Sequence, residues 1–186
     1  MISGPSGVGK GTVVRRIREL RPDLGFSVSF TTRSPRSGEV DGIHYRFLTR
    51  DRFEDIAREG GLLEWAEVFG ELYGTSEAEV RAALDAGRDV LKEVDVQGAA
   101  QIRERMPDAV LIFLAPPSED ELARRLRNRG TESGDALQRR LADARREMAQ
   151  ATWFDHIVMN DRLEEAVARV LAIIDAGRTP HQKEQT

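Results

Sequence analysis

The sequence has 186 residues, a length within the range of a single globular domain, and we predict one domain. Hydrophobic residues make up 40% of it and charged residues 32%, which excludes a disordered chain. The net charge of −4 argues against a nucleic-acid polymer or an anionic membrane as partner, and the lack of cysteine excludes disulfides and thiolate metal sites.

Short apolar segments alternate with amphipathic segments along the chain. Three of the amphipathic segments begin with a residue that can cap a helix, Thr49, Ser76 and Ser118. This alternation predicts an α/β fold with a mostly parallel sheet that helices cover on both faces. The predicted strands, rich in β-branched and aromatic residues, are residues 26–29, 62–65, 89–94, 109–114 and 156–159.

Neither a membrane span nor a targeting segment is predicted. The apolar run 110–115 ends at two prolines and is too short to cross a bilayer. The N-terminus shows no signal-peptide pattern, so we expect a cytoplasmic protein. We expect the tail, residues 178–186, to be frayed and without function, because it has no apolar period. The sequence leaves the oligomeric state open.

A glycine-rich segment near the start has the spacing of a phosphate loop and precedes a segment with helical periodicity. Glycines let the backbone turn successive N–H groups inward, and the helix N-terminus adds a partial positive charge. Lys10 can then reach the β and γ phosphates of a nucleoside triphosphate. The predicted loop consists of Gly4, Pro5, Ser6, Gly7, Val8, Gly9, Lys10, Gly11 and Thr12.

This loop departs from the general pattern in two ways. Gly11 stands where a serine or threonine usually holds magnesium, but the hydroxyl of Thr12 can take that role, so Thr12 is the predicted Mg²⁺ ligand. Residues 1–3 alone precede the loop, whereas a strand has about five residues. Either the start is too late or the first strand is short.

Further polar residues stand at positions suited to a second anionic ligand. Arg33 and Arg36 can fork-bond a phosphate, and Tyr45 can donate another hydrogen bond. Glu93 and Asp95 alternate along a predicted strand, so both can face the crevice where doubly wound sheets bind ligands. Solvated arginines and an ordinary strand end are the alternative interpretation of these residues.

A basic helical segment follows the predicted strand 109–114. Arg125 and Arg129 are four residues apart, so they share a helix face and can aim two guanidinium groups at one point. A solvated basic face is the alternative, and we favour it for Arg124 and Arg127. Near the end of the chain, Asp161 can cap the last helix.

Together these segments resemble the guanylate kinase family, from Ile2 to about Ile174. The resemblance implies a phosphate-loop (P-loop) three-layer α/β core with a parallel sheet, an inserted GMP-binding segment and a lid. The matching segments are the phosphate loop, the acceptor segment 27–42 with Tyr45, the guanine hairpin 63–75, the acidic strand end 92–98 and the lid 122–141.

The resemblance implies an enzyme that transfers the γ-phosphoryl group of ATP to GMP with Mg²⁺. It assigns Arg125, Arg129 and Arg140 to the transferred group beside Lys10, and Asn160 to the border of the adenine of ATP. The implied phosphate ligands on GMP are Arg33, Arg36, Tyr45 and Tyr73. The implied guanine ligands are Glu64, Thr75 and Asp95, with Ser29 and Glu93 completing the GMP site.

The resemblance also divides the domain by function. The core with the ATP site covers 1–30 and 88–178, the GMP-binding subdomain 31–87, and the lid 124–148. Because the acceptor is already a phosphate oxyanion, the transfer needs alignment and charge neutralisation but no general base. A kinase for another nucleoside monophosphate and a catalytically silent scaffold module are the two alternatives.

Overall fold

The computed structural model describes residues 1–68, 70–128 and 134–177, and these divide into two compact units. The first unit contains Met1–Arg21 and the chain from Val110 onward, and the second is Pro22–Ala109. The strands are β1 Ile2–Ser3, β2 Phe30–Thr31, β3 Arg46–Phe47, β4 Leu62–Val68, β5 Glu71–Ser76, β6 Ile112–Ala115 and β7 His156–Met159. The helices are α1 Lys10–Leu20, α2 Arg50–Arg58, α3 Glu77–Asp85, α4 Val96–Arg105, α5 Glu119–Asn128, α6 Gly134–Ala149 and α7 Leu163–Gly177, with a 3₁₀ turn at Gln150–Trp153.

The first unit is built on a parallel sheet with the strand order β1, β6, β7. The central strand β6 is buried along its whole length, as expected for an inner strand of a parallel sheet. Ile2 of β1 pairs with Ile112 of β6, and every residue of β6 pairs with β7. α1 packs against β1 and α7 through Val13, Val14 and Ile17, whose spacing places them on one helix face.

Helices α5 and α6 form a small apolar cluster of their own in the first unit. Leu122 and Leu126 of α5 are buried with Ala144 of α6, and Leu141 packs against them. The four-residue spacing of the two leucines puts both on the same side of α5. Ser118 accepts a hydrogen bond from the backbone N–H of Glu121, which confirms the predicted cap.

The second unit contains a mixed sheet with the strand order β3, β2, β5, β4. β4 and β5 form an antiparallel hairpin, whose register shifts between Leu62 and Glu64. α2 packs on this sheet through Phe53, which is buried together with Leu62 and Leu72. α4 packs against β4 as well, and the hairpin carries the buried polar residues Glu64 and Thr75.

The α/β class and the parallel sheet are confirmed, and so are the caps at Thr49 and Ser76. The prediction of strands at 26–29 and 89–94 was wrong. Neither segment forms a strand: Val90 makes an isolated parallel bridge to Gly25, which precedes the first segment, and other groups bind carbonyls of residues 26–29. The Ser27 carbonyl accepts from the Lys92 side chain, and the Ser29 carbonyl accepts from Arg46 N–H.

The boundaries between the two units fall after residues 21 and 109. The functional division at residues 31, 88, 124 and 148 stays a prediction. Among the described residues, no helix combines the length and the apolar character that a membrane crossing requires. The tail 178–186, for which we expect fraying, lies outside the described residues.

Candidate functional site

The glycine-rich loop joins β1 to α1 in a conformation that depends on glycine. Gly4 has φ +141° and Gly9 has φ +99°, which few other residues adopt. A Cβ on Gly4 would lie 2.3 Å from the carbonyl oxygen of Leu114, so a larger residue would collide with the backbone of β6. Gly9 precedes α1 without a side-chain cap, which leaves the start of the helix open to a ligand.

Lys10 begins α1 and turns its ammonium back over the loop. Nζ donates to the carbonyl oxygen of Gly4 at 2.6 Å and to that of Pro5 at 3.3 Å. The first turn of α1 contains no acidic residue, so the helix N-terminus and the ammonium add positive potential at the same place. This place suits an anionic group.

An acidic side chain also contacts this loop. The backbone N–H of Ser6 donates to Oε2 of Glu147, on α6, at 3.1 Å. Inward-facing loop amides are the groups that bind phosphate oxygens in proteins. The carboxylate of Glu147 therefore stands at an amide that can serve an anionic ligand.

Arg125 and Asn160 are joined to the loop by hydrogen bonds. Nη1 of Arg125 donates to the Asn160 carbonyl at 2.9 Å and to the Val8 carbonyl at 3.3 Å. Nδ2 of Asn160 donates to the same Val8 carbonyl at 2.7 Å. Nε of Arg125 also donates to Oε1 of Glu121 at 2.7 Å. Hydrogen bonds from Arg124 and Arg125 lower the pKa of Glu121 to about 2.

A cavity of about 410 Å³ adjoins the loop within the first unit. Its volume lies in the range of small-molecule sites. Thr12, the predicted metal ligand, is exposed and belongs to its wall. The lining residues are Gly7, Val8, Gly9, Thr12, Arg125, Asn160, Asp161 and Leu163.

For the other two predicted lid arginines the structure gives no contact with the loop to report. Arg140 lies on α6 and is half-buried. Arg129 lies outside the described residues. The structure thus brings Arg125 and Asn160 together with the loop from Gly4 to Thr12, and it leaves the roles of Arg129 and Arg140 as predictions.

In the second unit, Glu64 and Thr75 form a buried polar pair across the β4–β5 hairpin. Their Cα positions are paired in the sheet, and the Thr75 hydroxyl donates to Oε1 of Glu64. Glu64 is 8% exposed, and burial raises the pKa of its carboxyl, against the effects of the Thr75 hydrogen bond and of the Lys92 charge. A Cβ on Gly98 would lie 2.7 Å from Oε2 of Glu64, so Gly98 leaves space for this carboxylate.

Asp95 lies next to this pair at the start of α4. Its Oδ1 accepts from the backbone N–H of Gly98 at 2.6 Å, which makes Asp95 the N-cap of the helix. Its negative charge acts with burial to raise the pKa of Glu64. Glu93 is exposed and lies outside any strand, so the alternation predicted for Glu93 and Asp95 along a strand does not occur.

The predicted phosphate ligands are gathered around Glu39. Its carboxylate accepts two hydrogen bonds of 2.9 Å from Arg33 and one of 2.7 Å from the backbone N–H of Arg36. Hydrogen bonding to Arg33 lowers the pKa of Glu39 to about 2. The Arg33 guanidinium lies 5.3 Å from the centroid of the Tyr45 ring, and Tyr45 meets Tyr73 edge to face at 6.0 Å.

Sequence reasoning missed three residues that shape these sites. Lys92 is buried and donates to Ser29 Oγ, and a lysine directly after the apolar pair 90–91 in a predicted strand was a signal for it. Glu39 lies among other polar residues in a loop, and Glu147 lies on a helix rich in charge. Neither of these two carried a distinguishing pattern in the sequence.

A glycine-rich loop between a parallel strand and a helix that begins with lysine defines a phosphate-loop nucleotide-binding protein of the α/β class. The comparisons give the family. The family profile described as "Guanylate kinase" matches residues 1–177, and the chain belongs to this family. The resemblance found in the sequence motifs is therefore confirmed.

Two relatives and one solved structure illustrate the similarity. A protein named guanylate kinase from a Synechococcus species is 51% identical over 170 residues, covering 91% of this chain and 90% of that protein. One from Thermus thermophilus is 53% identical over 178 residues, covering 96% of this chain and 80% of that protein. The crystal structure of guanylate kinase from Anaplasma phagocytophilum has a TM-score of 0.75 at 31% identity, covering 97% of this chain and 85% of that one.

Proposed function

We propose that the protein transfers the γ-phosphoryl group of ATP to GMP, giving ADP and GDP. The observation that carries the choice of acceptor is the buried carboxylate of Glu64, held by Thr75. Guanine presents N1–H and an N2 amino group side by side, and a carboxylate offers two acceptor oxygens that match them. Adenine has no such donor pair. Membership of the guanylate kinase family supports the same choice.

The loop from Gly4 to Thr12 is the proposed ATP site. Its amides, the N-terminus of α1 and the ammonium of Lys10 form a positive place for the β and γ phosphates. The adjoining cavity, bordered by Asn160, has room for the rest of the nucleotide. We assign Arg125, which contacts the loop, to the transferred phosphoryl group. Arg129 and Arg140 are assigned to the same group by the family resemblance alone.

The reaction is expected to use Mg²⁺ bound with ATP, and the residues beside the loop fit such an ion. Mg²⁺ keeps several waters and binds substrate phosphates, so it needs few protein ligands. The exposed hydroxyl of Thr12, in the first turn of α1, can be one of them. Bound there, Mg²⁺ would neutralise part of the negative charge on the phosphates of ATP.

The chain's own residues would act by alignment and charge. Arg33 and Arg36 would bind the GMP phosphate, with hydrogen bonds from Tyr45 and Tyr73, and so place the attacking oxygen. Glu39 would keep Arg33 in one orientation. No side chain has to remove a proton, because the attacking phosphate oxygen is already ionised.

The test is a coupled assay of ADP formation with ATP and a panel of monophosphates, namely GMP, dGMP, AMP, CMP and UMP. We expect turnover with GMP, and little with AMP, CMP or UMP. The controls omit magnesium or use the Lys10→Ala variant. Turnover with AMP equal to that with GMP would contradict specificity for GMP. No turnover with any of the acceptors would contradict kinase activity.

A further inference from the structure

Lys92 is a buried cation to which the proposed reaction gives no role. Lys92 is 2% exposed and lies in the segment between α3 and α4. Nζ donates to Ser29 Oγ at 2.6 Å and to the Ser27 carbonyl at 2.9 Å, and it lies 5.6 Å from the centroid of the Phe26 ring. Burying an ammonium is costly in free energy, so a function is expected for it.

The contact with Ser29 fixes the direction of a hydroxyl group. An ammonium donates hydrogen bonds and cannot accept them, so Ser29 Oγ accepts from Lys92. The O–H of Ser29 must then point away from Nζ and can donate to another group. Ser29 is half-buried, so a ligand oxygen can reach this donor.

The charge of Lys92 acts on the carboxylates around it. Glu64, Glu79 and Glu93 all favour the protonated form of Lys92, whereas burial lowers its pKa to about 8. In return, the ammonium favours the ionised form of Glu64, which burial and the charge of Asp95 both disfavour. At neutral pH, Lys92 is charged and offsets these two effects.

We propose that Lys92 is a positioning residue of the acceptor pocket, which holds the Ser29 hydroxyl as a donor toward the bound monophosphate and keeps Glu64 ionised. This inference rests on the proposed function, because it takes Ser29 and Glu64 as ligands of GMP. Lys92 acts through these two side chains and need not touch the substrate itself.

Two variants separate the hydrogen bond from the charge. Lys92→Met removes both, whereas Lys92→Gln keeps an amide that can donate to Ser29 Oγ. We expect Lys92→Met to lower kcat/KM for GMP by about tenfold or more, with KM for ATP unchanged within about twofold. Lys92→Gln should recover part of this loss at pH 8.

The pH profile of kcat/KM for GMP tests the charge, because it reports the ionisations of the free enzyme. Activity requires ionised Glu64, so it falls as pH drops through the pKa of Glu64. It also requires protonated Lys92, so it falls as pH rises through about 8. In both variants the acid limb should move to higher pH and the alkaline limb near pH 8 should vanish. The ionisations of GMP itself are the same for every variant and cancel in the comparison.

The matched control is Arg88→Met, which removes an exposed cation four residues earlier in the chain. If the wild type forms no GMP-dependent ADP, the proposed function fails. If the wild type is active and both Lys92 variants keep its GMP efficiency and its acid limb, the role of Lys92 is rejected while the function stands. Should neither variant fold, calorimetric GMP affinity of the wild type decides: a loss between pH 7 and pH 8.5, below the ionisation of guanine N1–H, supports the role, and a constant affinity overturns it.

Discussion

The carboxylate of Glu147 accepts a hydrogen bond from the backbone N–H of Ser6 at 3.1 Å, although 141 residues separate the two in the chain. Ser6 belongs to the loop to which we assign the phosphates of ATP. A carboxylate and a phosphate oxygen both accept from loop amides, and their negative charges repel each other. If the loop binds ATP as proposed, we expect Glu147 to compete with the phosphates for the Ser6 amide.

We predict that Glu147→Gln lowers KM for ATP by about two- to threefold and leaves KM for GMP unchanged. The effect is small because charges near the surface are screened, and it should shrink further at high salt. Steady-state kinetics at two salt concentrations measure the change in KM for ATP and its dependence on salt. Glu165→Gln is the control, since it removes an exposed helical glutamate that pairs with Arg162. A KM for ATP that stays constant or rises would contradict competition by Glu147.

We predict that Lys10→Ala lowers kcat by about a hundredfold or more without unfolding the protein. The ammonium would stabilise the negative charge that develops on the transferred phosphoryl group in the transition state. Its Nζ donates to the carbonyl groups of Gly4 and Pro5, so its loss removes little packing. Turnover and the melting temperature are the measurements, with Arg15→Ala, an exposed residue of the same helix, as control. Near-normal turnover would remove the loop from the reaction.

Glu39 gives a prediction for stability against pH. Its pKa is lowered from 4.5 to about 2 by Arg33, so its ion pair stabilises the folded state fully above pH 4.5, and this stability is lost as pH falls toward 2. The melting temperature of Glu39→Gln should therefore lie below that of the wild type at pH 7, and the difference should shrink below pH 4. Glu54→Gln, which loses an exposed pair with Arg50, should show a smaller difference. A difference that is the same at pH 7 and pH 3 would show that the charge of Glu39 does not act.

The Glu39 variant has a kinetic consequence as well. With the carboxylate gone, the Arg33 guanidinium loses two charge-assisted hydrogen bonds that fix its orientation. KM for GMP should rise several-fold while KM for ATP stays constant, since Glu39 and the phosphate loop belong to different units. An equal rise for both substrates would indicate general loosening of the structure.

The strongly patterned parts of the fold could be predicted from the sequence. The run at 110–115 and the strand at 156–159 are apolar and β-branched, so their place in a parallel sheet followed from composition. The segment 26–29 was wrongly predicted as a strand, because composition does not reveal that a lysine side chain 65 residues away takes the Ser27 carbonyl. Contacts of this kind join distant parts of the chain and produce no periodic pattern in the sequence.

The site shows the same contrast. The phosphate loop could be predicted because its glycines and its lysine act through local backbone geometry. The role of Asp95 as a helix cap does not follow from the sequence prediction, which places Glu93 and Asp95 as alternate residues of one strand, whereas Asp95 starts α4. The contact between Glu147 and Ser6 could not be predicted at all, since either residue alone has the features of an ordinary surface position.

The last prediction concerns how guanine is distinguished from adenine. Glu64→Gln keeps the size of the side chain but replaces one acceptor oxygen with an N–H donor, which would face a donor of guanine. We expect kcat/KM for GMP to fall by about one to two orders of magnitude, with KM for ATP close to that of the wild type. In the wild type, discrimination against AMP can reach about 10⁴, because adenine has no donor pair for the acceptor positions of the buried carboxylate that Thr75 leaves open. Steady-state kinetics with GMP and AMP measure both quantities.

Two further variants show whether the position of the carboxylate matters. Gly98→Ala would place a Cβ 2.7 Å from Oε2 of Glu64, so it should displace the carboxylate and lower GMP efficiency while the charge is kept. Glu67→Gln is the matched control on β4, where an exposed glutamate loses its charge outside the buried pair. Glu67→Gln should leave kcat/KM for GMP and KM for ATP unchanged. If Glu64→Gln and Gly98→Ala both retain the GMP efficiency of the wild type, then Glu64 does not bind the guanine base, and another donor and acceptor set must select the acceptor.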